Sequence, residues 1–156
     1  MDPGNAYDQT LRVIGQALEA QRVIAFNLKT EGASFIVQGE AAKNRTVLAL
    51  LRREKPFGQK SFSAQDINRL EHEGRARRKE PHRLPDFHSL SNILRAVGAY
   101  IDMNRGRLLE VCKRDQNVMI LFQNQQGHPQ LEERTTRFLS DLGVRLYQQR
   151  QRRIRA

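Results

Sequence analysis

The sequence predicts an α+β protein: a tandem repeat of helix, three-stranded antiparallel meander and helix, arranged about a pseudo-twofold in a single compact domain. Three observations predict it. The run Leu11-Arg12-Val13-Ile14-Gly15 returns as Leu94-Arg95-Ala96-Val97-Gly98, and Leu18-Glu19 returns as Ile101-Asp102. After a two-residue insertion, Arg22 to Gln38 is answered in register by Arg107 to Gln123. Within each copy a helical spacing of apolar residues gives way to strand alternation. At 156 residues the chain has the size of one domain. It divides into repeat one (5–78), a linker (79–87), repeat two (86–150) and a basic tail (151–156).

In the first helix Tyr7, Leu11, Ile14 and Leu18 step four, three and four residues, which puts them on one face. Asn5, with Asp8 three residues on, supplies a cap. A hairpin follows. Ile24, Phe26 and Leu28 alternate with smaller or polar residues, Thr30-Glu31-Gly32 turns the chain, and Phe35 and Val37 resume on one face. Gly32 and Asn117 fall at equivalent places and both tolerate a left-handed backbone. Thr46 to Arg52 predicts the third strand, because a lone hairpin is marginal. Ser63-Ala64-Gln65-Asp66 is a capping box opening a short, exposed helix anchored by Ile67 and Leu70, with a frayed basic end.

The second copy repeats the scheme. Leu90, Leu94, Val97 and Ile101 form its helical stripe behind a cap at Asp86 or Ser89. Its hairpin strands are Leu108 to Lys113 and Val118 to Phe122. The second of these is apolar on both faces, which predicts a central strand covered by a helix on one side and a partner on the other. Pro129 to Arg134 is polar and opens with proline, so it predicts an edge strand. The last helix, Thr135 to Arg150, turns Phe138, Leu139, Leu142 and Leu146 inward.

No catalytic motif accompanies this architecture, so the expectation is a non-enzymatic protein with no cofactor. There is no glycine-rich phosphate loop and no nucleophile elbow. The four histidines are His72, His82, His88 and His128, and none pairs at zinc-site helical spacing. His82 and His88 flanking Asp86 read as solvated loop residues, so no metal is expected. No apolar run reaches the roughly 20 residues of a membrane span. Met1-Asp2-Pro3-Gly4 lacks the pattern of a signal peptide, so the expected compartment is cytoplasmic. The lone Cys112 excludes an intramolecular disulfide.

Charge is the remaining signal. Lys and Arg outnumber Asp and Glu by 27 to 17, for a net charge of +10. From Lys43 to Arg83 twelve basic residues face five acidic ones, and the last twelve residues hold five arginines and no acid. Such a field attracts phosphate polyanions through counterion release. The residues that follow from it are Arg52, Arg53, Arg75, Arg77, Arg78 and Lys79, with Arg150, Arg152, Arg153 and Arg155 at the C-terminal end. Phe57 and Phe62 interrupt the basic stretch, either as platforms for unpaired bases or as anchors that pin a loop to the core. The alternative is a protein-interaction or self-assembly module that uses an open sheet face or an edge strand, with an acidic protein or a second copy as partner. The meander-plus-helix layout is similar in outline to the PUR-repeat family of single-strand nucleic-acid-binding modules. That family leads with strands, whereas this chain leads with a helix. The resemblance points to nucleic acid as a partner.

Overall fold

The apolar stripes that the sequence spaces at helical intervals are buried. In the computed structural model of the chain, residues 7–41, 58–77 and 86–155 are described. Helix α1 (Tyr7–Ala20) leads into strands β1 (Val23–Glu31), β2 (Ser34–Ala41) and β3 (Gly58–Phe62) and helix α2 (Ala64–Arg77). Helix α3 (Leu90–Met103), strands β4 (Arg107–Arg114), β5 (Asn117–Gln123) and β6 (Pro129–Thr135) and helix α4 (Thr136–Arg155) follow. These four helices and one six-stranded antiparallel sheet form a single compact unit.

Helices α1 and α3 pack against each other at the centre of the helical layer. Leu11, Ile14 and Leu18 of α1 and Leu94, Val97 and Ile101 of α3 are fully buried. The backbones meet at two glycines. A Cβ on Gly15 would lie 2.6 Å from the Ser91 Cα, and one on Gly98 would lie 2.4 Å from the Tyr7 carbonyl oxygen. Only hydrogen fits at either crossing point. The start of α3 is capped by Ser89, whose side chain accepts the Asn92 N–H. At the start of α1, Asn5 lies outside the described residues. There the Asp102 carboxylate accepts the N–H groups of Tyr7 (3.2 Å) and Asp8 (3.1 Å) across the helix pair.

The strand order is β3-β2-β1-β4-β5-β6. Leu28 of β1 stands opposite Val111 of β4 in the middle of the sheet, and both are fully buried. The first hairpin closes with Glu31 opposite Ser34, leaving left-handed Gly32 (φ 59°) in the turn as expected. The second closes with Arg114 opposite Asn117, so the left-handed residue is Asp115 (φ 52°) and not Asn117, which already belongs to the ladder. Asp carries a short polar side chain that tolerates this conformation.

Two strands differ from expectation. The third strand of the first half is Gly58–Phe62, pairing with β2, while Thr46 to Arg52 lies outside the described residues. Strand β5 is next to the edge rather than central, since the centre belongs to β1 and β4. Its inner side (Val118, Ile120, Phe122) is buried, whereas Met119 on its outer side is 40% exposed. Strand β6 is an edge strand.

Helix α2 flanks α1 and helix α4 flanks α3. The capping box at the start of α2 is formed: the Asp66 N–H donates to the Ser63 Oγ at 3.2 Å, and the Ser63 N–H donates to the Asp66 Oδ2 at 3.0 Å. Helix α2 runs 14 residues, longer than its two apolar anchors predict, and it buries Ile67. Helix α4 continues through Arg155, so residues 151–155 are helix instead of an irregular tail. Among the described residues nothing packs over the sheet face opposite the helices.

Candidate functional site

The arginines of the C-terminal end are displayed by α4, and local chemistry explains why this helix is held firmly. Its first turn is fixed by the Thr135 hydroxyl, which accepts the Phe138 N–H at 3.1 Å. The Thr136 N–H donates to the Gln116 carbonyl at 2.8 Å, tying the helix to the β4–β5 turn. Leu139 and Leu142 enter the core. One step further along, Tyr147 meets Phe87 edge to face, with ring centroids 5.7 Å apart. Beyond that contact the helix carries little inward-facing apolar surface, and Arg152, Arg153 and Ile154 are exposed.

Arg145 and Arg152 are seven residues apart on the exposed side of α4, about 10 Å along the axis. No acidic residue occurs from Arg145 to the end of the helix. Among the described residues no ion pair neutralises Arg145, Arg152 or Arg153. Cations at a helix C-terminus also offset the partial negative charge of the unsatisfied carbonyls. Arg150 is half-buried and lines a small crevice with Phe87 and Asn92. The Arg155 side chain is outside the described residues.

Of the other basic residues predicted from charge, the two whose backbone is described do not join this surface. Arg75 and Arg77 belong to the end of α2, on the opposite flank of the α1–α3 pair, and their side chains lie outside the described residues. Arg52, Arg53, Phe57, Arg78 and Lys79 also lie outside them. Arg75 and Arg77 on α2 and the C-terminal arginines on α4, which sequence alone groups by sign of charge, thus sit on separate flanks. Phe62 is the anchor and not the platform: it is 6% exposed and stands opposite Phe35 in the β2–β3 ladder. A stacked base cannot reach a ring that is already packed in the core.

The uncovered sheet face has a different chemistry. Its rows pair Ile36 with Lys29, Lys29 with Glu110, Glu110 with Leu121, and Leu121 with Leu131. Leu131 is 61% exposed. Phe26, Phe35, Phe62 and Phe122 all turn inward, so the outer face presents aliphatic residues and balanced charge but no aromatic ring among the described strands. The sequence signal for this face was the two-sided apolarity of Val118 to Phe122. Leu131 gave no comparable signal inside its polar segment.

Perturbed ionisable groups lie in structural networks. Burial raises the Tyr100 hydroxyl above its ordinary range, helped by the Glu132 carboxylate to which it donates. Glu132 is also held by Arg134 at 3.1 Å, and the Arg134 guanidinium lies 5.3 Å from the Phe138 ring centre. This cluster ties α3, β6 and α4 together and its polar groups are partnered. Burial lowers the Lys113 ammonium, whose Nζ donates to the carbonyls of Ile24 and Asp115 at 3.0 Å each. Among the described residues no group of three His, Cys, Asp or Glu side chains is placed to hold a metal ion. Among them, too, no helix is long and apolar enough to cross a membrane. No family model, curated protein or solved structure matches the chain.

Proposed function

We propose that this chain is a non-enzymatic basic module that binds nucleic acid mainly through its phosphate backbone, using the exposed arginine side of α4. The observation that carries the reading is the acid-free stretch from Arg145 onward, helical through Arg155, with Arg145, Arg152 and Arg153 exposed and free of ion pairs among the described residues. Guanidinium groups bind phosphate bidentately and resist deprotonation. With no aromatic ring on the outer sheet face among the described residues, phosphate contact is favoured over base stacking. The proposal also takes the chain as a tandem repeat of helix–meander–helix units about a pseudo-twofold. In support, α1 and α3 have the same length, and their crossing glycines, Gly15 and Gly98, are both the ninth residue of their helix.

The test is anisotropy titration of single- and double-stranded DNA and RNA across a range of salt, with Arg152→Glu/Arg153→Glu beside the parent. The expected result is at least about tenfold weaker binding at low salt and a salt slope reduced by about two phosphate contacts. Unchanged affinity in the reversed variant with a native circular dichroism spectrum removes α4 as the site.

A second reading, a protein-interaction or self-association module, is favoured by the uncovered sheet face with exposed Met119 and Leu131. Sedimentation of the parent and of Leu131→Glu distinguishes it: a concentration-dependent dimer lost in the variant supports the reading, and a strict monomer for both rejects it.

A further inference from the structure

The first half of the fold carries a cleft beside its hairpin turn. In the second half α4 follows β6 without a break, and Leu139 (0% exposed) and Leu142 (8%) close the ground between the helix and the sheet. Counted from the caps Ser63 and Thr135, the corresponding residues of α2 are Ile67 and Leu70.

Among the described residues this cleft measures about 560 Å³ and lies between α2, the start of α1 and the β1–β2 turn. That size lies within the range of small-ligand sites, about 300–1,000 Å³. Phe35 and Ile67, each 8% exposed, border it with apolar edges, and Leu108 behind them is fully buried. Among the described residues Arg107 is the one charged residue of the lining, it is exposed, and no ion pair among them neutralises it. The Thr30 hydroxyl is already committed to the Leu108 carbonyl at 3.1 Å, which leaves the guanidinium as the strongest donor at the site. Apolar edges beside a single unneutralised cation select a ligand with an apolar body and one anionic end.

We infer that this cleft binds a small amphipathic anion, a medium-chain or aryl carboxylate, with the carboxylate on Arg107 and the apolar body along the edges of Phe35 and Ile67. The site is independent of α4 and of any nucleic acid bound there.

The test is amide-resolved NMR titration of the full chain with decanoate and, separately, with decanol, both below the micelle threshold. Decanoate is expected to shift the amides of Gly32, Ile67 and Arg107 saturably, with decanol about tenfold weaker. Arg107→Gln is expected to bring the two ligands to equal affinity. Ala33→Phe, a change at the exposed turn, is expected to fill the cleft and abolish binding of both. The same spectra report folding, so Ala33→Phe decides the matter should Arg107→Gln unfold. Three results overturn the inference: no shifts at these amides, equal affinity of decanoate and decanol for the parent, or shifts confined to α4 or to the outer sheet face around Met119 and Leu131.

Discussion

The Glu19 carboxylate accepts the backbone N–H of Ser91 at 2.6 Å, joining the end of α1 to the start of α3. Asp102 makes the return connection, from the end of α3 to Tyr7 and Asp8 at the start of α1. Both acids are the penultimate residues of their helices. Helix N-termini carry unsatisfied N–H groups and partial positive charge, so an acid there satisfies both. Each of these helices takes its acid from the other.

Removing either acid leaves amides without an acceptor. Glu19→Ala is expected to lower stability by about 1 kcal/mol, and Asp102→Ala by about 1–2 kcal/mol because two amides lose their partner. Urea unfolding midpoints at neutral pH measure both. Equal stability of parent and Asp102→Ala would show that water replaces the carboxylate without loss.

Two carboxyl groups give stability opposite dependences on pH. Burial raises Asp102 above its ordinary 3.8, outweighing the amide bonds from Asp8 and Tyr7. The proton-linked part of its contribution is therefore fully present below 3.8 and lost as pH rises through the folded value, while the ionised carboxylate still accepts the two amides. Asp66 is lowered from 3.8, first by its backbone hydrogen bond with Ser63. Its contribution is present above 3.8 and lost as pH falls through the folded value. Asp102→Asn is expected to flatten the decline just above 3.8, and Asp66→Asn the decline below it, in urea midpoints followed from pH 2.5 to 6.5.

The glycine crossings leave no room for a methyl group. Ala is the better helix former by about 1 kcal/mol, yet Gly15→Ala and Gly98→Ala would place Cβ 2.6 and 2.4 Å from backbone atoms of the facing helix. Backbone cannot rotate aside as a side chain can. Each substitution is expected to cost a net amount at the upper end of about 1–3 kcal/mol, read as a fall in Tm by calorimetry. An unchanged or raised Tm would mean that the helices separate at little cost.

Phe62 and Leu131 occupy opposite edge strands and should respond very differently. Phe62 is 6% exposed, so Phe62→Ala is expected to cost about 3–5 kcal/mol. Leu131 is 61% exposed, and Leu131→Ser should stay within about 0.5 kcal/mol. Chemical denaturation of both variants checks the contrast, and a mild Phe62→Ala would mean that β3 contributes little to the core.

Legibility followed periodicity. The stripes of α1 and α3 repeat an apolar residue every three or four positions, and burial reproduces them, with Leu90 partly buried at the end of its stripe. Strand alternation likewise located both hairpins. Strand β3 was illegible because Gly58-Gln59-Lys60-Ser61-Phe62 offers one apolar side chain, and only its ladder with β2 defines it. Asp115 was hidden because the second hairpin turns two residues earlier than the sequence register suggests. The reciprocal caps were visible as the pair Glu19 and Asp102, but nothing in a sequence says that an acid at the end of one helix serves the start of another. The basic residues were legible one by one. The separation of Arg75 and Arg77 on α2 from the arginines of α4 is a property of helix packing, which charge counting does not contain.

The rims of the sheet limit what the protein can build with itself. Strand β3 is five residues long and carries Lys60, while β6 opens with Pro129, which has no N–H to offer, and continues through Glu132, Glu133 and Arg134. Short, charged or proline-bearing borders discourage further strand addition. Both borders of the described sheet therefore resist extension strand by strand.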